Sequence, residues 1–235
     1  MPNLSILIIG AGGLGAPSAW TLARAGARIT ILDPDPVELS NLARQVIYRS
    51  EDIGAPKVLA GARRLRELFP RAAIDAHAIA FDASNGPALA AEHGFIIDAT
   101  DDPAVKFLIN DIACAADRPF VYGGVLGMTG QAMTIVPGRS ACLRCLFEAP
   151  PDQGEIASCR EAGIIGPVAG AIAELQAAEA MAYLHGAVPR LAGRILTYDA
   201  TSAARFRITA VAARQGCGCG AARRATLVAA ETAHQ

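Results

Sequence analysis

The chain predicts a doubly wound α/β fold: a Rossmann-like, mostly parallel sheet flanked by helices and extended at its C-terminal end by antiparallel strands. Three observations predict it. Short apolar runs alternate with helix-length segments through the first half. The first run opens directly onto a glycine turn, GAGGLG at 10–15. The second ends in an acidic residue, Asp33, at the strand end where open parallel sheets place ligand-binding groups.

The elements follow in order. Residues 4–9 form a continuous apolar run, as expected of a central strand covered on both faces. After the glycine turn, 14–25 reads as a helix closed by Gly26. Residues 28–32 are a second strand. Ser40 is the expected N-cap of a helix over 41–46. Residues 56–69 are a helix with Pro56 in its first turn and Pro70 beyond its end. Strands are predicted at 72–79, 95–98 and 120–122, with a helix over 103–116 between the last two. The character changes after Gly123. A strand is expected at 131–136, then a Pro-, Gly- and Cys-rich loop over 139–158, of the kind that is often functional or tied by metal. A long alanine-rich helix spans 168–184, apolar enough to be buried or at an interface. Residues 195–198 and 205–211 close the fold as an antiparallel pair. A single domain over 1–220 is expected, with a nucleotide-binding half at 1–123, a partner-binding and metal half at 124–220, and a tail at 221–235.

Composition narrows the function. The 235 residues are 52% hydrophobic and 18% charged, with a net charge of −1. That balance gives no electrostatic case for nucleic acid or an anionic membrane as partner. No apolar run reaches the length of about 18 residues that spans a bilayer, and MPNLSILIIG lacks the basic start of a signal peptide, so a cytoplasmic location is expected. Six cysteines in a reducing compartment point to metal or thiol chemistry.

The glycine turn reads as a nucleotide site. Gly10 and Gly12 permit a tight turn, and Gly13 and Gly15 let phosphate and helix approach. Asp33 suits a ribose hydroxyl, with Asp35 beside it. No GxxxxGK[ST] motif is present, so this is not a Walker loop. Arg44 and Lys57 argue for more than a dinucleotide, because a triphosphate concentrates negative charge in its transition state. Asp101, in DATDDP at 98–103, stands at a strand end suited to a magnesium that bridges phosphates, and Asp102 suits the cap of the next helix. Cys142 and Cys145 form CLRC, and Cys217 and Cys219 form CGC; four thiolates can close a tetrahedral zinc site. Cys114 reads as core filler. His77, His93, His185 and His234 are scattered and are assigned no role.

Taken together, GAGGLG, LDPDPVELSNLARQ at 32–45, DIGAPK at 52–57, DATD, YGG at 122–124, CLRC, and SCREAG followed by IIGP at 158–167 resemble the ThiF/MoeB/HesA family. These are ubiquitin-activating-enzyme-like adenylyltransferases for ubiquitin-like sulfur carrier proteins. The resemblance implies that Gly13 and Asp33 bind ATP, that Asn41, Arg44 and Gln45 line its phosphates, that Lys57 contacts them, and that Asp101 positions magnesium. It implies adenylation of the C-terminal glycine of a small β-grasp carrier ending in Gly-Gly, serving thiamine, molybdopterin or a related product. A homodimer is implied, with a sulfurtransferase or cysteine desulfurase as a further partner. Zinc-binding members carry two CxxC pairs, whereas the second pair here is CxC. Cys159 matches a cysteine that some members use as nucleophile or persulfide partner. Members commonly carry a leading helical segment whose arginine reaches the partner subunit's ATP; this chain opens at the first strand, as a short form would. Two alternatives remain open: an NAD(P)-dependent oxidoreductase, which accounts for GAGGLG and Asp33 but leaves Arg44, Lys57 and CLRC without a task, and a non-catalytic carrier-binding relative.

Overall fold

The computed structural model describes residues 5–151 and 163–220. One eight-stranded sheet, in the order β3-β2-β1-β4-β5-β6-β7-β8, runs through it. The strands are β1 (Ser5–Ile9), β2 (Arg28–Leu32), β3 (Ile74–His77), β4 (Phe95–Asp98), β5 (Phe120–Leu126), β6 (Thr129–Ile135), β7 (Arg194–Asp199) and β8 (Phe206–Ala210). β3 to β5 are mutually parallel; β5 to β8 are antiparallel. The helices are α1 (Gly15–Arg24), α2 (Lys57–Leu68), α3 (Gly86–Glu92), α4 (Pro103–Ala115), α5 (Leu143–Leu146) and α6 (Gly166–Leu184).

Alternation along the strands divides the core in two. Ile6, Ile8, Ile29, Ile31, Phe95 and Ile97 face one layer, with α1, α2 and α6. Leu7, Ile9, Leu32, Ile96 and Phe120 face the other, with α3, α4 and α5. β1 is buried along its whole length, which is why its sequence is an unbroken apolar run. Chain order reverses between β1 and β4. A crevice therefore opens at their carboxyl ends, the place where such sheets bind ligands.

Several expectations need correction. Residues 41–46 are not a helix, and Ser40 is not a cap. A short 3-10 turn, Leu39–Asn41, stands there with Glu38 at its start. The Asn41 side chain accepts from the Glu38 N–H at 3.1 Å, the capping-box bond that places the start of this turn at Glu38 and not at Ser40. α3 lies where no helix is expected, because Asn85-Gly86-Pro87 reads as a turn and seven residues are too few to show a period. The loop after β6 holds the short α5. β5 runs on through Gly123 to Leu126, past the expected end at 122. α6 is longer than expected and buries Val168, Ala169, Ile172, Ala173, Ala177 and Ala180.

Candidate active site and metal centre

The glycine turn connects β1 to α1. Gly10 has φ of +100°, a left-handed conformation, and a Cβ there would lie 2.6 Å from the Ala99 carbonyl oxygen. At Gly15 a Cβ would overlap the Gly10 carbonyl oxygen. These two glycines are required by the protein itself. Gly12 and Gly13 differ, since a Cβ would meet nothing nearer than 3.6 Å and 3.5 Å. Packing within the fold does not demand glycine at either position, which leaves the room that close approach of a phosphate would need. α1 has no side-chain N-cap and no acidic residue in its first turn, so the positive end of its dipole is uncompensated.

Asp33, at the end of β2, is pinned by two backbone donors: the Ala11 N–H at 2.7 Å and the Asp35 N–H at 2.8 Å. Burial pushes its carboxyl above the ordinary range, against the pull of those N–H groups and of Lys57. Lys57 opens α2, and its ammonium lies 2.9 Å from Asp35 Oδ2 and 3.9 Å from Asp33 Oδ1. Its side chain is only 9% exposed, while Asp35 is 61% exposed. Lys57 is thus a buried cation whose nearer partner, Asp35, is exposed and could give way to another anion.

Asn41, Arg44 and Gln45 come from the segment between β2 and α2. Arg44 Nη1 donates to the Ser40 carbonyl at 3.0 Å, while its buried Nε has no partner among the described residues. Gln45 is 3% exposed, and its Oε1 has no partner either. Its side chain is the nearest neighbour of Gly12. Two buried, unbonded polar atoms next to an anion-ready turn mark where a polar ligand would complete the bonding. Tyr48 ties the segment down by donating to the Ala11 carbonyl at 2.7 Å.

Across the crevice, β4 ends at Asp98 and is followed by Ala99, Thr100 and Asp101. Asp98 is fully buried, and burial pushes its carboxyl up while Lys106 pulls it down. Asp102 caps α4 by accepting from the Ala104 N–H at 2.8 Å. Asp101 is exposed and makes no hydrogen bond or ion pair among the described residues. The Thr100 N–H would lie 3.3 Å from a Cβ on Gly10, so this turn abuts the glycine turn. The structure thus gathers Gly10, Gly12, Gly13, Gly15, Asp33, Asp35, Gln45, Arg44, Lys57 and Asp101 around one strand crossover.

A second cluster lies on the other face of the sheet. The Sγ atoms of Cys142, Cys145, Cys217 and Cys219 all lie within 4.8 Å of one another. Cys142–Cys145, Cys142–Cys217 and Cys145–Cys219 are 3.9, 3.6 and 3.7 Å apart. Tetrahedral Zn–S bonds would put thiolates about 3.8 Å apart, so the donor set fits zinc. The shortened CxC spacing reaches the cluster because Gly216 and Gly220 turn with φ of +79° and +73°. Burial works against the Cys145 thiolate, but the Arg214 N–H at 3.3 Å helps hold its thiol below the ordinary value. Cys114 packs at the edge of the same core layer, as expected of filler. Cys159 lies outside the described residues.

A profile of the ThiF family matches residues 1–220. The chain belongs to the ThiF family. It is 37% identical over 215 residues to the sulfur carrier protein adenylyltransferase of Thermus thermophilus, covering 89% of this chain and 79% of that one. It is 38% identical over 225 residues to the adenylyltransferase and sulfurtransferase uba4 of Emericella nidulans, covering 91% of this chain and 47% of that protein. It therefore spans about half the length of that two-activity relative. In fold it matches Escherichia coli MccB crystallised with ATP, with a TM-score of 0.80 and 19% identity over 93% of this chain and 67% of that one.

Two groups in this ThiF-family protein escape sequence reasoning. Lys106 on α4 bonds both oxygens of buried Asp98 at 3.2 Å. Gln176 on α6 donates to the Asp98 carbonyl at 2.7 Å. The available signal is a lysine and a glutamine inside otherwise apolar helices. Only the fold says what they face.

Proposed function

We propose that this ThiF-family protein uses ATP to adenylate the C-terminal glycine of a small ubiquitin-like sulfur carrier. The observation that carries the reading is the set of Arg44, Gln45, Lys57 and Asp101 around an uncapped helix start and Asp33. A dinucleotide's pyrophosphate needs only the helix end; two cations and a free carboxylate have a use when the ligand is a triphosphate. The Thermus relative, a sulfur carrier protein adenylyltransferase, supports the same chemistry.

In this mechanism the backbone at Gly12 and Gly13 takes the phosphates and Asp33 accepts a ribose hydroxyl. Arg44 and Gln45 line the phosphate chain, with Asn41 fixing the turn before them. Lys57 leaves Asp35 for the phosphate oxygens. The free Asp101 carboxylate fits a magnesium ion held largely by phosphate and water. When bound there, the metal supplies charge neutralisation on the phosphates. The glycine carboxylate is already ionised at neutral pH, so no base is needed. Its oxygen attacks the α-phosphorus and forms the acyl-adenylate C–O–P bond. The bond from the α-phosphorus to the α–β bridging oxygen breaks, and that oxygen leaves with pyrophosphate. Alignment and charge carry the acceleration.

On the same reading, residues 1–123 serve the nucleotide and 124–220 the carrier, with zinc held by the four cysteines as a structural tie. A homodimer, a sulfur donor such as a sulfurtransferase or cysteine desulfurase, and a reducing cytoplasmic setting complete it. Cys159 is the proposed thiol for sulfur hand-over. The test is ATP–pyrophosphate exchange with Mg²⁺ and carriers ending in Gly-Gly, beside Asp101→Ala. Exchange that requires the terminal glycine and is lost in the variant supports the reading. ATP binding without exchange for any carrier overturns it in favour of a non-catalytic carrier-binding protein.

A further inference from the structure

Lys106 sits on the buried face of α4 beside Phe107, Ile109 and Ala113. Removing an ammonium from water is costly unless every proton is bonded and the charge is paired. Here Nζ lies 3.2 Å from each Asp98 carboxylate oxygen and 2.6 Å from the Gly123 carbonyl. Three acceptors match three protons. The same ammonium stands 5.0 Å from the centre of the Tyr122 ring. Lys106 therefore ties α4 to the carboxyl end of β4 and to the middle of β5.

The bonds radiate into the turn that follows. Asp98 Oδ1 also accepts from the Thr100 N–H at 3.1 Å and the Thr100 hydroxyl at 2.8 Å. From the other face of the sheet, Gln176 Nε2 donates to the Asp98 carbonyl at 2.7 Å. At its far end the turn is closed by Asp102, which caps the helix that carries Lys106. The turn is thus clamped at both ends. Within it, only the Asp101 carboxylate is left without a partner among the described residues.

We infer that Lys106 is a positioning residue for magnesium–ATP: through Asp98 and Thr100 it holds the turn that presents Asp101 to the metal. This rests on the adenylating reading above. Partners that orient a ligand residue typically change metal affinity by about 10- to 100-fold when lost. A lysine that only stabilised the fold would change ATP binding with and without metal alike.

The experiment titrates Mg²⁺ against ATP binding, read by calorimetry, in the wild type, Lys106→Met and Thr100→Ala, with circular dichroism to verify folding. The expected result is a half-saturating Mg²⁺ concentration raised about tenfold in Lys106→Met. Thr100→Ala should move it about threefold in the same direction, since it removes a bond to the same carboxylate. Affinity for ATP without metal should stay within about twofold. An unchanged Mg²⁺ requirement in folded Lys106→Met overturns the inference; if that variant does not fold, an unchanged requirement in Thr100→Ala does so. Equal losses with and without metal also overturn it. A wild type whose ATP binding ignores Mg²⁺ overturns the adenylating reading as well, whereas a Mg²⁺-dependent wild type with indifferent variants sinks only the role of Lys106.

Discussion

Individual glycines in the β1–α1 turn separate what the fold needs from what a ligand needs. Gly15 touches the Gly10 backbone, so Gly15→Ala should cost about 3 kcal/mol or prevent folding, read by urea unfolding. Gly12 has room for a methyl group. Gly12→Ala should keep its thermal midpoint within about 2 °C of the parent, yet lose at least about tenfold in ATP affinity by calorimetry. Asp33 carries a pH signature. Burial raises its folded pKa, so the folded state holds its proton more tightly than the unfolded chain does. Its contribution to stability is therefore lost as pH rises from the ordinary aspartate value through the raised one. Asp33→Asn should flatten the fall in urea midpoint across that window. An unchanged slope would mean that Asp33 is not the group responsible.

At the level of elements, α6 shows how a long apolar helix is fixed in register. Glu179 on it is buried and accepts from the Thr134 hydroxyl at 2.6 Å, the Arg190 N–H at 2.9 Å and the Leu191 N–H at 2.8 Å. Glu179→Ala would leave two buried donors and the partly buried Arg190 N–H without their acceptor, and should cost about 3 kcal/mol in urea unfolding. The segment before α2 is anchored in a similar way. Buried Asp52 accepts from the Arg49 N–H at 2.8 Å and pairs with Arg63 on α2, which fixes the approach to Lys57. The cysteine cluster ties the loop after β6 to the stretch after β8. Cys217→Ser should lower bound zinc from about one per chain towards none, measured by metal analysis, and chelation should lower the parent's thermal midpoint more than the variant's.

Across the whole molecule, the reversal of strand order between β1 and β4 builds the crevice. Lys57 reaches it from α2 and Asp101 from the end of β4. Because transition-state charge is spread over the phosphates, Lys57→Ala should reduce carrier-dependent pyrophosphate exchange by about 100-fold, with a smaller loss in ATP binding. Equal losses in both would show Lys57 to be a binding residue only. The antiparallel extension adds a second use of the same sheet. β5, the last strand of the parallel array, is also the strand on which β6 to β8 are built. Among the described residues, no helix is long and apolar enough to cross a membrane.

The sequence alone determined whatever depends on near neighbours along the chain. The bounds of β2 and β4 follow from apolar runs ended by polar residues. The β1–α1 turn follows from glycines at positions that exclude a Cβ, and the Asp102 cap from its place before Pro103. Most residues of the candidate site were legible because GAGGLG, DPD, SNLARQ and DATD are contiguous motifs. Only the tertiary structure decided the rest. Asn41 bonding back to Glu38 starts a short 3-10 turn at Glu38, where Ser40 suggested the cap of a helix. The CxC pair meets CLRC across more than seventy residues because two glycines turn the chain there. Lys106 and Gln176 converge on Asp98 from opposite faces of the sheet. Each depends on which face of which element meets which neighbour, and long-range burial and polar satisfaction settle that where local propensity cannot.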